Sequence, residues 1–295
     1  MRTLRTVPEL RAALAGPRRA GATIALVPTM GAFHAGHLSL MRRSREDCEI
    51  VVVSLFVNPP QFDERDDLIA YPRDEARDAA LAAQAGVDYL FAPPAAEVYP
   101  PGFDTKVSVG GPTATLEGAH RGRGHFDGVT TVVTKLLNMV GPDVAYLGRK
   151  DAQQALVIER LVRDLDMPVR IEVCPTVREP DGLAMSSRNA NLSTAERERA
   201  RALHRGLRAA PDVVAAGARD PAWARAAALA VLHGADVEPE YLELVSAGTL
   251  TPVQELRGDV LAVIAARIGA TRLIDNHMLC AAERTAAAGA ENGRS

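Results

Sequence analysis

The sequence predicts an α/β protein: a Rossmann-like, doubly wound parallel sheet followed by a second, smaller α+β domain. Three observations carry this. Apolar runs of strand length alternate with helical stretches as far as about residue 176, the pattern of successive βαβ units. The run from Ile50 to Val57 is apolar almost without a break, as a parallel strand covered on both faces must be. Near Thr176 the texture changes to a polar, turn-rich segment, and helices and strands of a different arrangement follow. The expected division is 1–176 for the Rossmann-like domain, 177–282 for the α+β lid and 283–295 for a disordered tail.

In order along the chain, Thr6 caps a helix whose first turn holds Pro8 and Glu9. Thr23–Val27 is the first buried strand, and the helix after His37 turns Leu38 and Met41 inward. Ile50–Val57 is the second strand, and it delivers Asn58 and Gln61 at its carboxyl end. Asp74–Gln84 is an Ala-rich helix closed by Gly86, and Val87–Phe91 the third strand. Pro93–Pro101 reads as a proline-rich loop and Thr105–Val109 as an edge strand. Gly128–Val140 is the clearest helix, with Val129, Val132, Val133, Leu136, Leu137 and Val140 in one apolar stripe. That stripe could serve the protein's own sheet or a dimer. Val144–Leu147 and Val169–Val173 are further strands, with Gly148-Arg-Lys-Asp151 opening the helix between them. In the second part, Ser193 and Glu196 form a capping box. Asp220-Pro221 starts another helix, for which Trp223 is the expected apolar anchor. Tyr241–Val245, Val260–Ala266 and Thr271–Asp275 read as strands. The Ala/Gly/Glu/Arg tail after Cys280 has little to bury.

Composition narrows the partners. Of 295 residues, 47% are hydrophobic and 24% charged, as in an ordinary soluble globular protein, and two domains fit the length. A net charge of −3 gives no overall field for nucleic acid, so attraction for a polyanion must be local. Cys48, Cys174 and Cys280 lie far apart without a Cys-x-x-Cys. That argues against a disulfide framework or cysteine zinc site and suits a reducing cytosol. The start lacks the apolar core of a signal peptide, and no run approaches membrane-spanning length. A cytoplasmic protein with neither a nucleic-acid nor a membrane partner is the expectation.

The chemistry gathers on Val27-Pro-Thr-Met-Gly-Ala-Phe-His-Ala-Gly-His37, a strand, a turn and the first turn of a helix. Gly31 and Gly36 allow a sharp turn and close approach of a ligand. Free N–H groups at a helix start attract anions. His34 and His37, three apart, share a face and can donate hydrogen bonds to charge building on a leaving phosphate.

This order resembles the His-x-Gly-His signature of the nucleotidyltransferase superfamily, which binds ATP and attacks at its α-phosphate. Five motifs extend the resemblance: residues 28–37, Phe-Val-Asn-Pro-Pro-Gln-Phe at 56–62, His-Phe-Asp-Gly-Val at 125–129, Gly-Arg-Lys-Asp-Ala-Gln-Gln at 148–154 and Met-Ser-Ser-Arg-Asn at 185–189. From about Thr23 to about Asp275 the chain resembles the pantothenate synthetase (pantoate–β-alanine ligase) family. The resemblance implies condensation of (R)-pantoate with β-alanine through a pantoyl-adenylate, using Mg-ATP and releasing AMP and pyrophosphate. It also implies a homodimer.

The resemblance places Met30, Gly31, His34, His37, Gly148, Lys150, Asp151, Val177, Met185, Ser186, Ser187 and Arg188 at ATP. His37 is its proton donor, and the backbone near Val177 holds adenine. Gln61 and Gln154 bind pantoate against a wall that includes Met30, and Asn58 with Gln61 positions β-alanine. The residue types suit these tasks. A pantoate carboxylate is ionised at pH 7 and needs in-line placement and nearby cations, not a base. Lys150 supplies a point charge, and Ser186, Ser187 and Arg188 supply donors. Asp151 is either an oxygen ligand for Mg²⁺ or a helix cap. The β-alanine amine must lose a proton, and no base for it is evident. Either Arg121 or Arg123 fills the family's arginine position before His125, and Arg149 adds to the phosphate field or points to solvent. The competing readings are a plain nucleotidyltransferase acting on another small acid, an aminoacyl-tRNA synthetase, and a non-catalytic nucleotide- or metal-binding regulator.

Overall fold

The computed structural model describes residues 1–62 and 65–281. The expectation of a disordered tail over 283–295 falls outside them. The sheet strands are β1 (Arg2–Leu4), β2 (Ile24–Thr29), β3 (Ile50–Leu55), β4 (Tyr89–Phe91), β5 (Val144–Gly148) and β6 (Arg170–Cys174). They form one sheet in the order β1-β4-β3-β2-β5-β6, with every neighbouring pair parallel.

Alternation along the strands shows why both faces are covered. Ile24, Leu26 and Val52 face the cluster built on helices α1 (Val7–Arg19), α7 (Arg123–Val140) and α8 (Ala152–Asp164). Ala25, Val27, Val51 and Val53 face the opposite cluster, with Leu40 and Met41 of α2 (Ala35–Asp47) and Ala82 of α4 (Glu75–Gln84). Successive residues point to opposite faces, so an unbroken apolar strand fits only a sheet with helices on both sides. The α7 stripe is spent inside this core: Val129, Val132, Val133, Leu136, Leu137 and Val140 are all buried in one cluster with the sheet. Thr6 and Glu9 form the capping box that starts α1. Of the two helix-inward residues expected after His37, Met41 is fully buried and Leu38 partly so.

The second body contains α9 (Thr194–Ala215), α10 (Pro221–His233) and the antiparallel strands β7 (Pro239–Ser246), β8 (Gly258–Ile268) and β9 (Thr271–Ala281). Val260, Ala262 and Ile264 pack under α9 and α10, whereas Leu261 and Val263 face Leu116, Ala152 and Leu156 of the first body. This sheet is therefore the partition between its own helices and the parallel-sheet body. Ser193 and Glu196 make the expected capping box at the start of α9.

Three expectations need correction, and one strand was missed. Thr105–Val109 is not a strand. The Val107 N–H donates to Thr131 Oγ1 at 3.0 Å and its carbonyl accepts from Thr130 Oγ1, so α7 hydroxyls take the groups a strand ladder would use. The proline-rich stretch contains a short helix, α5 (Ala95–Val98). Strand β1 was unforeseen, because three residues carry too little pattern to read. Trp223 is 66% exposed and anchors nothing. Ala224, Ala228 and Leu232, spaced four apart, form the buried edge of α10 instead. Helix α9 approaches so closely that a β-carbon at Gly206 would sit 3.1 Å from the Ala228 carbonyl oxygen, leaving no room for indole on that seam.

Candidate active site

Strands β2 and β5 are neighbours, yet the chain leaves them toward opposite sides of the sheet, β2 toward β3 and β5 toward β6. Their carboxyl ends flank the switch point where open α/β sheets bind ligands. A cavity of about 1120 Å³ opens there. It is lined by Met30, His34, His37, Asn58, Gln61, Gly148, Lys150, Asp151, Gln154, Val177, Met185, Ser186, Ser187 and Arg188. Residues from five motifs spread over some 160 positions thus meet at one place.

The first motif is shaped by a residue that sequence reasoning missed. Asp78, fully buried on α4, accepts from the Ala32 N–H at 2.7 Å and the Phe33 N–H at 2.8 Å. Ala32 has φ of 52°, a left-handed value rare for alanine, and Gly31 has φ of 90°. A β-carbon on Gly31 would lie 3.0 Å from Asp78 Oδ2 and 3.0 Å from Leu55. Gly31 does not line the cavity; it is the glycine that lets the turn seat on Asp78.

The turn ends at His34, the N-cap of α2, whose Nδ1 accepts from the Gly36 N–H at 3.2 Å. The proton therefore sits on Nε2. The His34 and His37 rings stack 4.1 Å apart at 30°. Burial first, then Lys150, pushes His34 down to about 4. Burial, His34 and Lys150 push His37 down to about 3, and its Nδ1 has no hydrogen-bond partner among the described residues. Both imidazoles are neutral at pH 7. The expected proton-donor role of His37 must start from a neutral ring, which offers an N–H as a hydrogen-bond donor and not an imidazolium proton.

At the carboxyl end of β3, Asn58 is buried, with Nδ2 donating to Gln61 Oε1 at 3.0 Å and to the Gly128 carbonyl at 3.1 Å. Its Oδ1 accepts from the Tyr99 hydroxyl at 2.6 Å. Asn58 is thus occupied in holding Gln61, which sits in a single 3₁₀ turn, Pro59–Gln61. Gln154, on the first turn of α8, lies across the same cavity.

Lys150 occupies the 3₁₀ turn Arg149–Asp151 after β5, and its Nζ lies 3.8 Å from Asp151 Oδ1. Asn276 of β9 donates to the Arg149 and Lys150 carbonyls at 2.8 and 2.9 Å, so the second body pins this turn. Asp151 occupies the N-cap position of α8 without a capping bond, and its carboxylate is half exposed. Among the described residues no group of three His, Cys, Asp or Glu gathers to hold a metal. Arg149 does not line the cavity, and Arg121 does; the Arg123 side chain is outside the described residues.

Val177 and Met185 pair through a backbone bond of 3.0 Å, with Arg178 and Ala184 bridged beside them. Arg178 forms a bidentate pair with Asp275 of β9 at 2.7 and 2.9 Å. Gly182 sits at φ 91° in the turn of this hairpin, where a β-carbon would lie 2.8 Å from His204. Ser186 caps the turn Ser187–Asn191, and Tyr71, a residue not foreseen, lines the cavity together with Ser187. Also unforeseen are Glu117 on α6 (Glu117–Arg121) and Arg272 on β9, which pair across the cavity. Nothing short of their spatial contact marks them, since 155 residues separate the two.

The comparisons with known proteins agree with this geometry. The family model described as pantoate-beta-alanine ligase matches residues 2–278. A pantothenate synthetase of Cereibacter sphaeroides is 53% identical over 273 residues, covering 92% of this chain and 98% of the relative. Pantothenate synthetase 1 of Bradyrhizobium diazoefficiens is 52% identical over 280 residues, covering 95% and 98%. The crystal structure of pantothenate synthetase from Thermus thermophilus superposes with a TM-score of 0.89 at 48% identity, covering 94% and 99%. That of pantoate-beta-alanine ligase from Francisella tularensis, complexed with beta-gamma ATP and beta-alanine, superposes with a TM-score of 0.78 at 33% identity, covering 94% and 97%. The chain belongs to the pantoate–β-alanine ligase family.

Proposed function

We propose that the cavity at the β2/β5 switch point performs both half-reactions of pantothenate formation. In the first, a pantoate carboxylate oxygen attacks the α-phosphorus of ATP and pyrophosphate leaves. In the second, the uncharged β-alanine amine attacks the acyl carbonyl, the bond to AMP breaks, and the nitrogen gives up a proton to solvent as the amide forms. The observation that supports this best is the meeting of a phosphate end, His34, His37, Lys150 and Ser186–Arg188, with an amide-lined end, Gln61 and Gln154, in one cavity.

Lys150 offsets charge that grows on the departing pyrophosphate. The neutral His34 and His37 donate N–H bonds to the phosphates. Met30, Gly148 and the Val177–Met185 pair frame the nucleotide, and Ser186, Ser187 and Arg188 close on the triphosphate. Gln61, held by Asn58, and Gln154 orient pantoate. Mg²⁺ would enter with the nucleotide: it keeps several waters and needs few protein oxygens, so the half-exposed Asp151 fits that ion and the site does not fit a resident metal. The ion would lessen repulsion between the phosphates and the incoming carboxylate.

The two separate apolar cores support a division into 1–176 and 177–282, the second part acting as a lid. A homodimer in the cytoplasm completes the reading, supported by the family resemblance. Light scattering on the purified chain tests the dimer. No helix of the described residues is long and apolar enough to cross a membrane.

The test of function is release of AMP and pyrophosphate from Mg-ATP, with pantoate and β-alanine supplied separately and together. Sustained AMP requiring both acids, with pantothenate formed, is expected. A stable adenylylated product would favour a plain nucleotidyltransferase, and nucleotide binding without turnover would leave only a regulator.

A further inference from the structure

We propose that Glu117 and Arg272 form a clasp that positions α6 across the cavity and shields the acyl-adenylate from water. The proposal rests on the two-step reading above. Arg272 Nη1 and Nη2 donate to the two Glu117 oxygens at 2.7 and 2.8 Å, and its Nε donates to Glu240 at 2.6 Å. The Tyr241 hydroxyl adds a bond of 2.7 Å to Glu117. Glu117, Arg272 and Tyr241 all line the cavity, Glu117 from the parallel-sheet body and the other two from the antiparallel sheet.

The segment carrying Glu117 is held against its own preference. Leu116 has φ of 49°, a left-handed value costly for leucine, and a β-carbon at Gly118 would fall 1.8 Å from the Thr113 carbonyl oxygen. Such a shape persists only where its surroundings fix it. Gln153 does so from one side: its Oε1 accepts the Glu117 N–H at 2.9 Å, and its amide donates to the Pro112 and Thr115 carbonyls at 2.6 and 2.7 Å. Gln153 is the neighbour of Gln154, so the residue proposed to hold pantoate and the one that holds α6 share a helical turn. Arg272 fixes the same segment from the other side.

A mostly buried ion pair adds little net stability, because desolvation offsets the attraction; its use is to specify one arrangement. Here that arrangement joins the two walls around an intermediate that water can destroy. In that side reaction water attacks the acyl carbonyl, the bond to AMP breaks, and pantoate, AMP and a proton are released.

The measurement is AMP formed per pantothenate formed, at saturating Mg-ATP, pantoate and β-alanine. Wild type is expected near one. Glu117→Gln breaks the charge pair while Arg272 keeps Glu240, and the ratio is expected to rise about threefold or more. Tyr241→Phe, which removes a single bond, is expected to raise it less, and Glu117→Asp to restore coupling in part. A slower Glu117→Gln enzyme that still couples one AMP to one pantothenate would overturn the clasp and leave a structural bridge. Should Glu117→Gln fail to fold, Tyr241→Phe decides by the same ratio. A wild type that forms no pantothenate overturns the two-step reading, and the clasp with it, so the two failures are distinct.

Discussion

His125 is tied to the main chain of Gln61: its Nδ1 lies 2.7 Å from the Gln61 carbonyl oxygen. A carbonyl only accepts, so the ring carries its proton on Nδ1. The bond joins the start of α7 to the turn that presents Gln61, and Gly128, one helical turn later, closes the contact. A β-carbon at 128 would meet the Pro60 carbonyl oxygen at 2.5 Å and the Gln61 nitrogen at 2.7 Å. Gly128→Ala must therefore push the 3₁₀ turn off α7 and carry Gln61 with it. The expected cost is about 1–3 kcal/mol of stability from overpacking, read by urea unfolding. The KM for pantoate should rise about tenfold while nucleotide affinity changes little. An unchanged KM would mean that the contact only packs.

Asp78→Asn should harm the adenylation step more than the fold. The carboxylate accepts two turn N–H groups, whereas an amide presents an oxygen to one and its own donor to the other. The unmatched N–H and the strain at Ala32 then favour a different turn, which displaces His34. A loss of about tenfold to a hundredfold in adenylation is expected for a displacement of this kind. Pantoate-dependent exchange of pyrophosphate into ATP measures it, with circular dichroism following the fold. Full exchange activity in a folded variant would remove Asp78 from the positioning of His34.

Acid should destabilise this protein through its two site histidines. Unfolded, each titrates near 6.5. Folded, His34 stays neutral to about 4 and His37 to about 3. Between those limits the unfolded chain takes up protons that the folded chain refuses, so stability falls as pH falls. Above pH 6.5 the two groups add no pH dependence. Below it each removes at most about 1.4 kcal/mol per pH unit, down to its folded value. Urea midpoints from pH 7 to pH 4 should fall more steeply for wild type than for His37→Gln. Parallel slopes would show that His37 is protonated in the folded protein.

The sheet and much of the cavity were legible because they rest on local pattern. Apolar runs such as Ile50–Leu55 report burial on both faces, and motif residues such as His34, Lys150 and Gln154 follow within six residues of a strand end. What stayed hidden depends on distant partners. Asp78 lies 46 residues from the turn it holds, and along the sequence it reads as one more charge on an exposed helix. Glu117 and Arg272 read as ordinary surface charges until both are seen against the cavity. Val107 shows the same limit in reverse: its alternation fits a strand, yet two threonine hydroxyls of α7 claim its backbone.

Trp223 provides a check on the second body. It is the sole tryptophan and 66% exposed, one residue off the Ala224–Ala228–Leu232 seam. Trp223→Ala should change stability by no more than about 0.5 kcal/mol. Ala228→Leu, against the close approach of Gly206, should cost about 1–3 kcal/mol. Native tryptophan emission should be solvent-like and readily quenched by acrylamide. Blue-shifted, protected emission would place the indole in a contact, either within the second body or with another copy.

Lys150 separates charge from geometry at the phosphate end. Its ammonium, on a side chain 19% exposed, is the leading electrostatic cause, after burial, of the low titration of His34, and it also acts on His37. Lys150→Ala removes both the cation proposed to face the phosphates and part of what keeps the histidines neutral. Turnover should fall at least a hundredfold and the Kd for ATP should rise. Lys150→Arg keeps the charge but replaces a compact ammonium with a wide planar fork. If charge alone matters, arginine restores both affinity and rate; if the ammonium must sit at one point beside the departing pyrophosphate, arginine restores affinity and not rate. The second outcome is expected, because Asn276 fixes the carbonyls of this turn and leaves the backbone little freedom to accommodate a longer side chain. Calorimetric ATP affinities set beside adenylation rates for the two variants decide between them.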